Sequence, residues 1–120
     1  MKKDTLQEFC QISGIDWTAT LDRFMNNENL YEKILLKFPN DPSFHELKEK
    51  IAEGDAQASF MYAHTLKGVA GNLGLTRLFQ LASQLTDELR NGHIENASPL
   101  MKDLTEQYEA ICDFIKKIKN

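Results

Sequence analysis

Long apolar runs are missing from this chain. No segment approaches the roughly 20 consecutive apolar residues that a membrane-spanning helix needs, so no span is expected. The N-terminus, Met1-Lys2-Lys3-Asp4, has lysines but no apolar stretch behind them, which argues against a signal peptide. Cysteine is scarce too. Cys10 and Cys112 stand far apart; a bridge between them is open on sequence grounds, but two free thiols in a reducing cytoplasm is the favoured reading. Excess positive charge is absent: the net charge is −4, where a nucleic-acid binder would show a basic face. No run alternates β-branched with polar residues, which leaves no strand signal. No CxxC or HExxH spacing calls for a metal, and no glycine-rich loop ends in Gly-Lys-Ser/Thr. The chain therefore has no evident nucleotide site and is not expected to phosphorylate itself from ATP.

What remains is helical periodicity. With 42% hydrophobic residues in 120, the chain has enough apolar surface for one core, and residues 1–120 read as a single domain. A short helix is expected over 3–11, with Leu6, Phe9 and Cys10 inward, broken by Gly14. Asp16 can cap the next, Trp17 to Met25; after Asn26-Asn27 comes Glu28 to Phe38. Asp41 as N-cap, with Pro42 at the first helical position, opens a helix that turns Phe44, Leu47 and Ile51 inward and stops at Gly54. Asp55 caps the following helix, which runs to about Leu73, where Gly74 can take the left-handed C′ conformation. Leu75 to Asn91 then carries the stripe Leu78, Ala82, Leu85 and Leu89, with Leu75 and Phe79 beside it, and Gly92 ends it. Ser98 and Pro99 open a last helix with Met101, Leu104, Tyr108, Ile111, Ile115 and Ile118 on one side. The expected fold is all-α: an antiparallel up-down four-helix bundle over about 42–119, with additional short N-terminal helices packed on it. Trp17 either staples the N-terminal segment to the bundle, the favoured reading, or lies at a docking surface.

The stretch Ala63-His64-Thr65-Leu66-Lys67-Gly68-Val69-Ala70-Gly71-Asn72-Leu73-Gly74 stands apart from these core stripes. On a helical wheel of roughly 100° per residue, Ser59, Tyr62, Ala63, Leu66, Val69, Ala70 and Leu73 cover one side. His64 falls almost opposite its centre. Around it lie Lys67, Gly68 and Gly71 on the following turns, and Phe60, Met61 and Gln57 on the preceding ones. A glycine inside a helix costs about 1 kcal/mol relative to alanine. Two of them here clear side-chain bulk from around one imidazole, on a helix that stability alone would not build this way. An imidazole with an ordinary pKa of about 6.5 keeps a large neutral, nucleophilic fraction near neutral pH. A lysine one turn on supplies positive charge beside any anion that lands on the ring. A lone exposed histidine usually does nothing; the conjunction with Lys67, Gly68 and Gly71 is what sets this one apart. His45, in the first turn of its helix, and His93, in a loop, are expected to be merely solvated.

Ala63-His64-Thr65-Leu66-Lys67-Gly68, followed by Asn72-Leu73-Gly74, closely resembles the signature of histidine-containing phosphotransfer (HPt) domains of multistep phosphorelays. The resemblance covers most of the chain from about Gly14 onward and is strongest between Phe60 and Leu75. It implies that His64 accepts a phosphoryl group from an aspartyl-phosphate on a receiver domain and passes it to another. Lys67 would stabilise the phosphoryl charge, while Gly68 and Gly71 allow close approach. Val69 and Ala70 stand where relatives often have serines, a departure that bears on local hydrogen bonding and leaves the acceptor in place.

The resemblance further implies response-regulator receiver domains as partners, with a hybrid sensor kinase upstream. It implies no cofactor on this chain, Mg²⁺ being held by the receiver. Phe60, Met61 and Gly68 would form the centre of the docking face, with Gln57 and Lys67 towards its rim and Gly71 beside it. A helical adaptor that binds a receiver without taking phosphate is the alternative. The expectations are completed by a free-standing, monomeric, cytoplasmic protein with no nucleic-acid or membrane partner.

Overall fold

A computed structural model describes residues 1–119. Among these residues there are seven α-helices: α1 (Lys3–Ser13), α2 (Trp17–Arg23), α3 (Glu28–Lys37), α4 (Ser43–Ala52), α5 (Ala56–Asn72), α6 (Thr76–Arg90) and α7 (Ala97–Lys119). Short 3-10 turns at Phe38–Asn40 and Ile94–Asn96 lead into α4 and α7, and no strand occurs among the described residues. The helices form where apolar spacing and caps coincide. Asp16, Asn27 and Asp55 each accept a hydrogen bond from the backbone N–H three residues on, opening α2, α3 and α5. α4 opens one residue later than the sequence reading has it: Pro42, not Asp41, is the N-cap. Its carbonyl accepts the first ladder bond from Glu46 N, while Asp41 Oδ1 accepts from Ser43 N at 2.9 Å just outside the helix.

Helices α4 to α7 make the antiparallel bundle. α5 packs against both α4 and α6, and α6 packs against α7. α4 meets α7 through a Phe44–Tyr108 stack with centroids 3.9 Å apart and planes 9° off parallel. Leu47, Ala63, Leu66, Leu78, Leu85, Leu104 and Ile111 fill the interior. The N-terminal helices close one side. Phe9 of α1 stacks on Phe114 of α7 at 4.9 Å, and the α1 carbonyls of Gln11 and Ile12 accept from Arg77, with Ile12 also accepting from Gln107. Trp17 sits edge-on to Tyr31, with centroids 5.3 Å apart, so it staples α2 to α3 and the core.

Several boundaries differ from the sequence reading. α1 continues past residue 11 to Ser13, whose hydroxyl donates to the Phe9 carbonyl. α2 stops at Arg23, short of Met25, because Met25 and Asn26 turn left-handed (φ 55° and 58°) before Asn27 caps α3. α3 likewise ends at Lys37, before the 3-10 turn. α6 starts at Thr76 and ends at Arg90. α7 begins at Ala97, which puts Pro99 inside the first turn, where a missing N–H costs no helical bond. Phe114 belongs to the buried set of α7, and Ile118 only packs against its margin.

Candidate functional site

Helix α5 presents the residues singled out above. Asp55 accepts from Ala58 N at 3.0 Å and starts the helix. Ser59, Ala63, Leu66 and Ala70 are buried along its inner side. His64 is exposed on the opposite side, near the helix middle. The inner stripe is built of small residues and leucine, which lets α4 and α6 come close on either flank and leaves the imidazole face uncovered.

The C-terminal end of α5 is a tight joint. Leu75 N donates to the Ala70 carbonyl at 2.9 Å and Gly74 N to that of Gly71 at 3.2 Å, with Gly74 at φ 70°. A Cβ at Gly74 would lie 2.3 Å from Thr20 Oγ1 and 3.0 Å from Ile15 Cγ1, so the glycine is required by space as well as by conformation. α5 has no basic residue of its own in its last turn. Arg23 of α2 takes that part, donating from Nη2 to the carbonyls of Gly71 (3.0 Å) and Asn72 (3.2 Å). The buried Tyr31 hydroxyl donates to the Leu73 carbonyl at 2.6 Å, and burial raises the phenol well above its ordinary pKa.

Around the imidazole the surface is mixed. The Phe60 ring lies 6.1 Å from that of His64, one turn towards the N-terminus. On its other flank the Arg90 guanidinium of α6 sits 5.6 Å from the Phe60 centroid while pairing with Asp87 at 2.8 Å. A shallow depression of about 310 Å³, lined by Ala56, Gln57, Phe60, Leu89, Arg90 and Gly92, continues the face across to α6. Met61 is 61% exposed. Gly68 is exposed, and a Cβ there would meet nothing within 4 Å.

Two placements were not readable from spacing. Gly71 is half-buried against the Cδ2–Cε2 edge of the Phe79 ring of α6: an added Cβ would meet Cδ2 at 3.2 Å and Cε2 at 3.3 Å, which makes this glycine a packing position. Lys67, also half-buried, holds its ammonium 5.8 Å from the centroid of the same ring. Arg23, Phe79 and Arg90 thus join the site from other helices. Arg90 and Phe79 lie on α6, which a three-residue turn returns antiparallel beside α5; that hairpin is the one sequence signal that points to them. His45 and His93 are exposed as expected, the latter 3.3 Å from Glu88. The cysteines are free, and burial raises the Cys112 thiol above its ordinary pKa.

Among the described residues, no helix is long and apolar enough to cross a membrane, and no three His, Cys, Asp or Glu side chains gather as metal ligands. Comparison with curated proteins and with solved structures gives no match. The Hpt domain family matches residues 40–114, from the turn before α4 to Phe114 of α7, with α5 at its centre. That span is more than half of the chain and contains the whole histidine helix, so this protein belongs to the histidine-containing phosphotransfer (Hpt) domain family, whose role is histidine phosphotransfer in two-component systems.

Proposed function

We propose that His64 is the phosphoryl acceptor and that the chain relays a phosphoryl group between the aspartates of receiver domains. The observation that carries this reading is the exposure of His64 at mid-helix beside the open surface of Gly68, opposite a fully buried stripe. An incoming aspartyl-phosphate has a clear approach to the ring. In the transfer step a ring nitrogen attacks phosphorus in line, the N–P bond forms, the acyl O–P bond breaks, and the carboxylate leaves on the receiver. Such transfers need chiefly positioning and charge stabilisation, because the transition state is loose and its charge is spread over three oxygens. Lys67 supplies one cation from this chain. The receiver supplies the metal ion that its own acidic pocket holds.

The docking face fits a partner with an apolar centre and a polar rim. Phe60, Met61 and Gly68 provide the centre, and Gln57 and Lys67 the rim. Gly71 contributes by seating Phe79 at the edge of that face.

The test is incubation of the chain with a phosphorylated receiver and, separately, with phosphoramidate, followed by assay for acid-labile, alkali-stable phosphate. Wild type is expected to label. His64→Gln is expected to lose labelling from both donors, with its circular dichroism unchanged. Labelling of a folded His64→Gln protein would sink the assignment, and receiver binding without any labelling of wild type would make the chain an adaptor.

A further inference from the structure

The imidazole of His64 and the ammonium of Lys67 have different aromatic neighbours. His64 has its ring beside Phe60, one turn towards the N-terminus, with centroids 6.1 Å apart. Lys67 has its ammonium 5.8 Å from the centroid of Phe79, whose ring lies across Gly71, one turn towards the C-terminus. At a rise of about 1.5 Å per residue, His64 and Gly71 are separated by roughly 10 Å along α5, with Lys67 between them. The cation expected to meet the phosphate therefore rests at a ring that packs on Gly71, towards the C-terminal end of α5, while the imidazole has its ring neighbour one turn towards the N-terminus.

We propose that Phe79 is a positioning residue: it is the resting berth of Lys67, and it holds the ammonium back from His64 until a phosphoryl group draws it across. This rests on the reading of His64 as the acceptor. Gly71 is part of the device. With no Cβ there, the ring settles against the helix and its face is presented to the lysine; any side chain would lift it. Phe79 is half-buried: its Cδ2–Cε2 edge abuts Gly71, and its face stays within reach of a flexible lysine. The resting contact must be given up before Lys67 can pair with phosphate. Its strength is thus subtracted from the stabilisation that Lys67 brings to the transition state and to the phosphorylated ring. For a partly exposed ammonium–ring contact that is a factor of about two to five. The berth weakens the hold of the protein on the phosphoryl group, and weak holding suits a carrier that must pass its cargo on.

The sign of the effect makes the proposal testable, because a berth and a simple structural support act in opposite directions. Phosphoramidate is the probe: a His64 ring nitrogen attacks its phosphorus, the P–N bond breaks and ammonia leaves. Phe79→Leu removes the π face but keeps apolar bulk, and is expected to label about two to five times faster than wild type. Phe79→Tyr keeps the ring and should label at the wild-type rate. In a Lys67→Ala background, Phe79→Leu should change nothing. An unchanged or slower Phe79→Leu, or an acceleration that persists without Lys67, overturns the berth. Proton NMR of the unphosphorylated protein tests it without any transfer. The Lys67 side-chain methylene signals should be shifted upfield by the ring, and should lose that shift in Phe79→Leu and on phosphorylation. Absence of the shift in wild type, or its survival on phosphorylation, overturns the proposal. Failure of wild type to label refutes the acceptor reading instead, while the shift in the unphosphorylated protein still decides where Lys67 rests.

Discussion

Gly68 and Gly74 lie within two turns of each other and serve opposite ends. Gly68 faces open space inside a regular helix, where any side chain would fit. Gly74 closes the helix in a left-handed conformation, wedged against Thr20 and Ile15. The first costs helix stability and leaves a surface bare. The second holds three helices in register, together with the Tyr31 hydroxyl on Leu73 and the Arg23 guanidinium on Gly71 and Asn72. The sequence already marks Gly68 as clearance and Gly74 as a left-handed helix end; the crowding of Gly74 by Thr20 and Ile15 is what the structure adds. The structure separates an open position from an architectural joint, and the variants below test whether the open one is the proposed docking clearing.

The largest effect on stability is expected at the joint. Gly74→Ala must place a Cβ in a left-handed residue, at a cost of roughly 1–2 kcal/mol. It must also displace Thr20 and Ile15, and overpacking of a close-fitted site adds about 1–3 kcal/mol. Denaturant unfolding should therefore show a loss of about 2–5 kcal/mol, while the remaining folded protein still labels on His64. Thr20→Ala in the same chain removes both contacting Thr20 atoms, and should restore part of the steric loss and none of the conformational one. A loss below about 1 kcal/mol would mean that the joint is not tight and that the contrast with Gly68 is false.

Next comes Tyr31→Phe. It removes a buried donor and leaves the Leu73 carbonyl without that partner, for a loss of about 1–3 kcal/mol. A pH effect accompanies it. Burial raises the phenol of Tyr31, so on alkaline titration the unfolded chain ionises first, near pH 10. The stability due to the neutral phenol is complete below that value and is lost progressively above it. Tyr108, raised by burial and by its neighbour Cys112, contributes in the same sense. Wild type should thus lose stability more steeply above about pH 10 than Tyr31→Phe does. Equal alkaline slopes would show that Tyr31 ionises freely in the folded protein.

Much of this architecture was open to inspection in the residues themselves, and the remainder has a common cause. Asp16 and Asp55 cap as their positions implied, and the α5 wheel placed His64 opposite the buried Ala63, Leu66 and Ala70. These features are local, set by backbone geometry within one or two turns. The Lys67–Phe79 and Arg90–Phe60 contacts depend on how two helices cross, which periodicity does not encode. Gly71 was read as clearance because its partner, Phe79, arrives from α6. Met25 gave no sign of its left-handed turn. Methionine disfavours that conformation, so nothing in its residue type points to the turn that Met25 and Asn26 make between α2 and α3.

The smallest stability effect, and the most informative sign, belongs to Gly68. A glutamine there meets no neighbouring atom and replaces the poorest ordinary helix former but proline, so stability should hold or rise by up to about 1 kcal/mol. The same side chain stands one turn from His64, on the face proposed for receiver docking. Receiver binding should weaken and receiver-driven labelling should slow. Labelling by phosphoramidate should suffer less, since a small donor needs less room. Opposed signs for stability and transfer are what a clearing demands, just as a joint demands destabilisation with transfer intact. If Gly68→Gln transfers from the receiver as fast as wild type, the bare surface is not the docking surface, and the partner approaches His64 from the Phe60 and Arg90 side. If it loses stability, Gly68 is a packing position like Gly71, and the distinction drawn within this helix collapses.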